Sequence, residues 1–202
     1  MTKMTAQEKF WNWFIQHDVE LFDFEVDQER IFDKLASELE RIDPNLTFEF
    51  GPKRAKREFV ISAGGIKSAF PAVVSLVNAA PALGQWEVIA FRPRRTPVNV
   101  VEFRGHRIDP VEVRFTLLDN GEIAGLFLFI PGLPNDDASL KQIGYLLLDE
   151  ALGEYDVETR LGLIKMLSPD TETEGARYPL SELPAQFDGL IARHEGRSGR
   201  IS

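Results

Sequence analysis

Arg92, Arg94 and Arg95 follow directly on an apolar run at 86–91. A guanidinium is planar and permanently charged, and its fork of N–H donors matches a carboxylate or a phosphate. At a strand end such side chains can converge on a crevice. Arg104, Arg107 and the basic turn Lys53, Arg54, Lys56 and Arg57 would join them if the strands are neighbours. A second anion-binding candidate is Ser62, Ala63, Gly64 and Gly65, with Lys67 just beyond. Glycines between a strand and a helix permit close backbone approach, and N–H groups near a helix start attract anions. The spacing is neither the dinucleotide fingerprint nor a P-loop, because the further glycine and the Gly-Lys-Ser/Thr ending are missing. A structural turn is the simpler reading of the two glycines.

Acid–base chemistry has thinner support. His106 and Asp109 form the one close histidine–carboxylate pair, in a predicted turn flanked by Arg104 and Arg107. They would serve as a base and its orienting carboxylate. A second group is Asp149, Glu150, Glu154 and Asp156 around a predicted helix exit, where the helix dipole disfavours negative charge. Paired carboxylates there could hold a divalent ion or act as a glycosidase-like pair, with Glu154 and Asp156 the candidate catalytic groups, or else Glu154 or Asp156 pairs with an arginine of the basic middle such as Arg92 or Arg104. The histidines His17, His106 and His194 are far apart and show no metal-ligand spacing, so neither a metal nor another cofactor is expected.

The absence of cysteine removes disulfides, thiolate metal sites and cysteine nucleophiles. The N-terminal residues lack a basic region followed by an apolar run, and 123–133 is broken by Gly125, Pro131 and Gly132, so the expectation is a cytoplasmic protein that does not enter a membrane. A net charge of -9 makes nucleic acid an improbable partner. The charge is unevenly placed: residues 17–49 carry 11 acidic and 3 basic side chains, 51–114 carry 5 and 11, and 119–202 carry 15 and 7. Either these blocks compensate one another within the fold, or they form faces for an acidic protein, an anionic small molecule or a second copy of the chain.

The elements that would position these residues follow from periodicity. Thr5 and Glu8 have the form of a capping box before a helix bearing Phe10, Trp11 and Phe14. Asp27 can cap a second helix, where Ile31, Leu35, Leu39 and Ile42 make one apolar stripe. Strands are predicted at 46–50 and 58–62 around the basic turn, a helix from Pro71 to about Ala80, then strands at 86–91 and 99–103. Asn120-Gly121 joins strands 112–118 and 123–130 in a hairpin. A helix capped by Asn135 or Asp136 runs to Leu152, and Gly153 ends it. A strand at 160–167, a polar stretch at 168–179 and a short helix from Ser181 complete the chain, with a frayed tail from Glu195.

This order predicts an α+β fold of ferredoxin-like character: a mixed, largely antiparallel sheet holding two β-α-β units. It is expected as a single domain over 1–202, with an N-terminal helical pair at 1–44, a sheet-centred core at 46–167 and a C-terminal extension at 168–202. No sequence repeat is visible. The segments 57–65, 86–94 and 147–156 resemble stretches of small uncharacterised bacterial proteins; that resemblance implies no activity and assigns no residue a role. The first expectation for function is a non-enzymatic binding or regulatory protein with complementary charged surfaces. The alternative is an enzyme acting on an anionic small molecule in an arginine-lined pocket.

Overall fold

A computed structural model describes residues 4–121, 123–132 and 138–198. The chain divides into two compact units, Met1–Arg92 and Pro93–Ser202. The span 46–167, expected to hold one core, contributes to two clusters of buried residues and to three sheets. Among the described residues no helix is long and apolar enough to cross a membrane.

The first unit opens with α1 (Ala6–Gln16), whose capping box is formed as predicted: Thr5 Oγ1 accepts from the Glu8 amide at 3.1 Å, and the Glu8 carboxylate accepts from the Thr5 amide at 2.7 Å. A short α2 (Asp18–Phe22) follows, then α3 (Gln28–Glu40). Asp27 precedes α3 but makes no side-chain cap; its carboxylate accepts from Arg30 instead. Strands β1 (Thr47–Phe50) and β2 (Arg57–Ser62) pair antiparallel, α4 (Phe70–Asn78) crosses over, and β3 (Trp86–Ala90) returns parallel to β2. The sheet order is β1-β2-β3. Its inward residues, among them Phe48, Phe50, Phe59, Ile61 and Trp86, share one cluster with Phe10, Trp11 and Phe14 of α1 and with Leu35 of α3. Phe59 lies at the centre, 4.9 Å from the Phe14 ring and 5.3 Å from that of Phe50. Trp11 is buried and donates its indole N–H to the Leu76 carbonyl at 2.9 Å, which ties α1 to α4.

The second unit begins with a small hairpin, β4 (Val101–Phe103) and β5 (His106–Ile108). Strands β6 (Arg114–Asp119) and β7 (Ala124–Phe129) form the predicted hairpin, with Gly121 at φ +92°, a conformation glycine adopts without strain. Helix α5 (Ala138–Leu152) crosses over, a further helix α6 (Glu154–Arg160) follows, and β8 (Leu161–Leu167) lies parallel to β7. The predicted caps Asn135 and Asp136 lie outside the described residues. A two-residue β9 (Tyr178–Pro179) joins the free edge of β6, and α7 (Leu183–Ser198) closes the unit, giving the order β8-β7-β6-β9. Helix α7 continues through residues expected to fray. The core is mainly aliphatic, with Leu126, Leu128, Ile143, Leu147 and Leu183 all fully buried, and it includes the rings of Phe115 and Phe187.

The α+β class and both parallel crossovers predicted from the element order are present. The two crossovers lie in different sheets rather than in one ferredoxin-like sheet. Helix α6 was not anticipated, because its seven residues carry too little apolar periodicity to stand out beside α5.

Candidate functional site

The anion-binding candidates of the first unit are engaged in local structure. Gly64 and Gly65 take φ values of +57° and +81°, where a side chain would be strained. The Gly64 amide donates to Ser62 Oγ at 3.0 Å and the Ile66 amide to the Ala63 carbonyl at 3.0 Å, which closes a turn. Lys67 is exposed in the single helical turn before α4. The Arg92 guanidinium donates to Glu49 of β1.

Arg57 corrects the picture of a solvated basic tip. It is the first residue of β2, only 1% exposed, and its guanidinium lies 4.3 Å from the Phe24 ring centroid. Nε donates to the Gly51 carbonyl at 2.9 Å, and the terminal nitrogens reach the Phe22 carbonyl and the Glu25 carboxylate. The hydrogen bonds from Arg57 hold the Glu25 carboxyl below the usual carboxylate range. A signal for this burial exists in the sequence: Arg57 is in phase with Phe59 and Ile61, the inward residues of a strand of period two.

A groove of about 640 Å³ beside α3 is lined by Trp13, His17 and charged side chains of that helix. His17 stacks on Trp13 with centroids 4.6 Å apart. The charges largely answer one another: Arg30 binds Asp27 and Glu20, and Arg41 binds Glu38. The hydrogen bond from Arg30 lowers the Glu20 pKa against the opposing effect of burial.

In the second unit the predicted acidic group meets the predicted arginines, with Arg94 as the partner in place of Arg92 or Arg104. Arg94 donates to Asp156 at 2.7 Å, to Asp188 at 2.9 Å and to the Leu152 carbonyl at 2.7 Å. Arg160 reaches Asp156 at 3.1 Å and Glu195 at 2.8 Å. Burial opposes the Arg94 charge, but the bonds to Asp156 and Asp188 prevail and raise its pKa. These side chains tie α6 and α7 to the segment before β4. Glu154 is buried at the first position of α6.

His106 and Asp109 take separate roles. His106 is exposed in β5, opposite Phe103. Asp109 caps the turn 110–112 by accepting from the Val111 amide at 3.0 Å. A histidine–carboxylate contact lies elsewhere: His194 Nε2 is 2.8 Å from Asp119 Oδ1, joining α7 to the end of β6. The two are 75 positions apart, and no local signal couples them.

Arg95, an anion-binding candidate, and Asp109, an acid–base candidate, do meet at the wall of one recess of about 390 Å³ in the second unit. Pro97, Pro110, Pro179 and Pro184 form much of its lining, with Thr96 and Ser181 as further polar groups. Val98, another wall residue, packs against the aliphatic core. The Arg95 amide donates to the Glu150 carbonyl at 2.7 Å, which pins the backbone that carries the guanidinium. Proline fixes φ and offers no N–H, so the walls are rigid and largely apolar. Donors are therefore few, and the lining holds one positive charge, Arg95, and one negative charge, Asp109.

No family model, curated protein or solved structure matches the chain, so no residue role is carried over from a relative.

Proposed function

We propose that the protein is a non-enzymatic binding protein whose second unit takes a small anionic molecule with an apolar body in the proline-walled recess. The observation that carries this reading is the chemistry of the lining: apolar rings on a backbone restrained by four prolines, with one arginine, the Asp109 carboxylate that already caps its own turn, and two hydroxyls. Ligand sites of this kind are concave, mostly apolar and preformed, with a small number of polar groups that set orientation. A volume of about 390 Å³ suits a small ligand. Rigid walls favour binding because little conformational freedom is lost on association. The acid–base candidates support binding over catalysis: His106 and Asp109 sit in separate local structures, and Asp156 is held between Arg94 and Arg160.

Phenylacetate and its neutral amide, titrated into ¹⁵N-labelled protein, test the reading. The acid should shift the amide resonances of residues 95, 96, 98, 109 and 111, and bind at least about tenfold more tightly than the amide. Arg95→Gln should remove that preference. Equal binding of acid and amide, or no shift at the recess, would overturn the assignment.

A further inference from the structure

The proline-walled recess holds two opposite charges, and the binding reading above uses only one of them. Arg95 lies ahead of β4, on backbone pinned to the Glu150 carbonyl of α5 at 2.7 Å. Asp109 follows β5 directly, and its backbone is held from both sides. Ile108 before it and Val113 beyond it are buried in the core. The Glu112 amide donates to the Asp109 carbonyl at 3.0 Å and the Val113 amide to the Pro110 carbonyl at 3.2 Å, which closes the turn between them. Both charges are thus carried on fixed backbone.

The Asp109 carboxylate is only partly used. Its Oδ1 accepts from the Val111 amide at 3.0 Å. Among the described residues Asp109 joins no ion pair, so it and Arg95 line one recess without pairing with each other. An ionised carboxylate accepts at both of its oxygens. Oδ2 is therefore left as an acceptor for water or for a ligand.

The other polar groups set no charge requirement. Thr96 and Ser181 carry hydroxyls, which donate or accept as the occupant demands. Arg95 needs an acceptor and Asp109 a donor. A ligand that is wholly apolar beyond its carboxylate answers Arg95, but it takes water from Asp109 and returns no hydrogen bond. Stripping a charged group of water without replacement is costly. An N–H or O–H at that place restores the bond, and a bond to an ionised acceptor is stronger than one between neutral groups. At about 390 Å³ the recess suits a small ligand, so one molecule can meet both groups.

We propose that the ligand carries, besides the carboxylate at Arg95, an N–H or O–H donor that Asp109 accepts, which makes it a hydroxy acid or an amino acid with an apolar body. The inference rests on the reading of the recess as a site for a carboxylate, and it makes Asp109 the second binding residue there.

Phenylacetate, mandelate, phenylglycine and para-hydroxyphenylacetate share one apolar ring and differ in the donor. Titrated into ¹⁵N-labelled protein, they give affinities from the amide shifts at residues 95, 96, 109 and 111. At least one of the three donor-bearing acids should bind about tenfold more tightly than phenylacetate. Mandelate as the tightest places a hydroxyl beside the carboxylate, phenylglycine an ammonium there, and para-hydroxyphenylacetate a hydroxyl at the far end of the ring. Asp109→Ser keeps a hydroxyl able to cap the Val111 amide but removes the second oxygen. It should bring the preferred ligand and phenylacetate to equal affinity. Phenylacetate that binds in preference to its amide, with no gain from any donor, would overturn this inference and leave the carboxylate site standing. A gain that persists in Asp109→Ser would overturn it as well. No shift at the recess with any of the four acids would overturn both the inference and the reading beneath it.

Discussion

Both units build an antiparallel hairpin, cross over through a helix and lay a third strand parallel to the hairpin's second strand. In the first unit these are β1, β2, α4 and β3; in the second they are β6, β7, α5 and β8. The shared connectivity is filled differently. The first unit packs rings around Phe59 and draws Arg57 into the ring cluster, where carbonyls and Glu25 satisfy it. The second packs mainly aliphatic side chains around two buried rings, Phe115 and Phe187, and sets prolines and small residues at its margins, which leaves a recess at Arg95 and a cleft beside β6. Connectivity fixes which strands are neighbours, whereas side-chain volume at the edges decides whether a cavity remains.

The largest expected effect that tests this contrast is on the ring cluster. Phe59→Ala should lower the stability of the first unit by about 4 kcal/mol, because a cavity opens among rings that cannot close over it. All three tryptophans lie in the first unit, so their fluorescence during urea unfolding reports on it. A loss under about 1 kcal/mol would mean that the aromatic cluster is not its mainstay. Arg57→Met should cost about 3 kcal/mol by the same readout, since the Gly51 and Phe22 carbonyls lose a buried donor. A neutral result would show that apolar packing substitutes for the cation, as occurs in some buried ion pairs.

In the second unit Arg94→Gln should cost about 1 kcal/mol, a modest figure because solvent screens a partly exposed pair. Far-ultraviolet circular dichroism through the urea transition measures it, and a change confined to tryptophan fluorescence would contradict the assignment. Thr5→Ala should cost about 1 kcal/mol through loss of the capping box that starts α1.

The smallest effect is a pH dependence. The Glu25 pKa is lower in the folded chain than its ordinary value, chiefly through hydrogen bonds from Arg57. Stability from that shift is complete above the unfolded carboxylate pKa and is lost as the pH falls toward the folded one. Glu25→Gln should flatten the acid limb of the tryptophan-monitored stability curve slightly, and an unchanged limb would count against the Arg57 contact.

Much of the fold was legible because its signals are local. The capping box at Thr5 and Glu8, the stripe Ile31, Leu35 and Leu39, the Asn120-Gly121 hairpin and the element order around both crossovers depend on neighbours in sequence. The same reading gave Arg94 and Asp156 as groups in search of partners. It could not pair them, since their meeting depends on how α6 packs beside the segment before β4.

By itself the sequence determined the α+β class, most helices and strands, and the composition that excludes cysteine chemistry, because period, capping and turn propensity act over a few residues. Tertiary structure alone decided the separate sheets, the burial of Arg57, the contact of His194 with Asp119, and the meeting of Arg95 with Asp109 at one recess. Each of these joins residues distant along the chain, and their distance is set by packing of whole elements, for which no local pattern is a record.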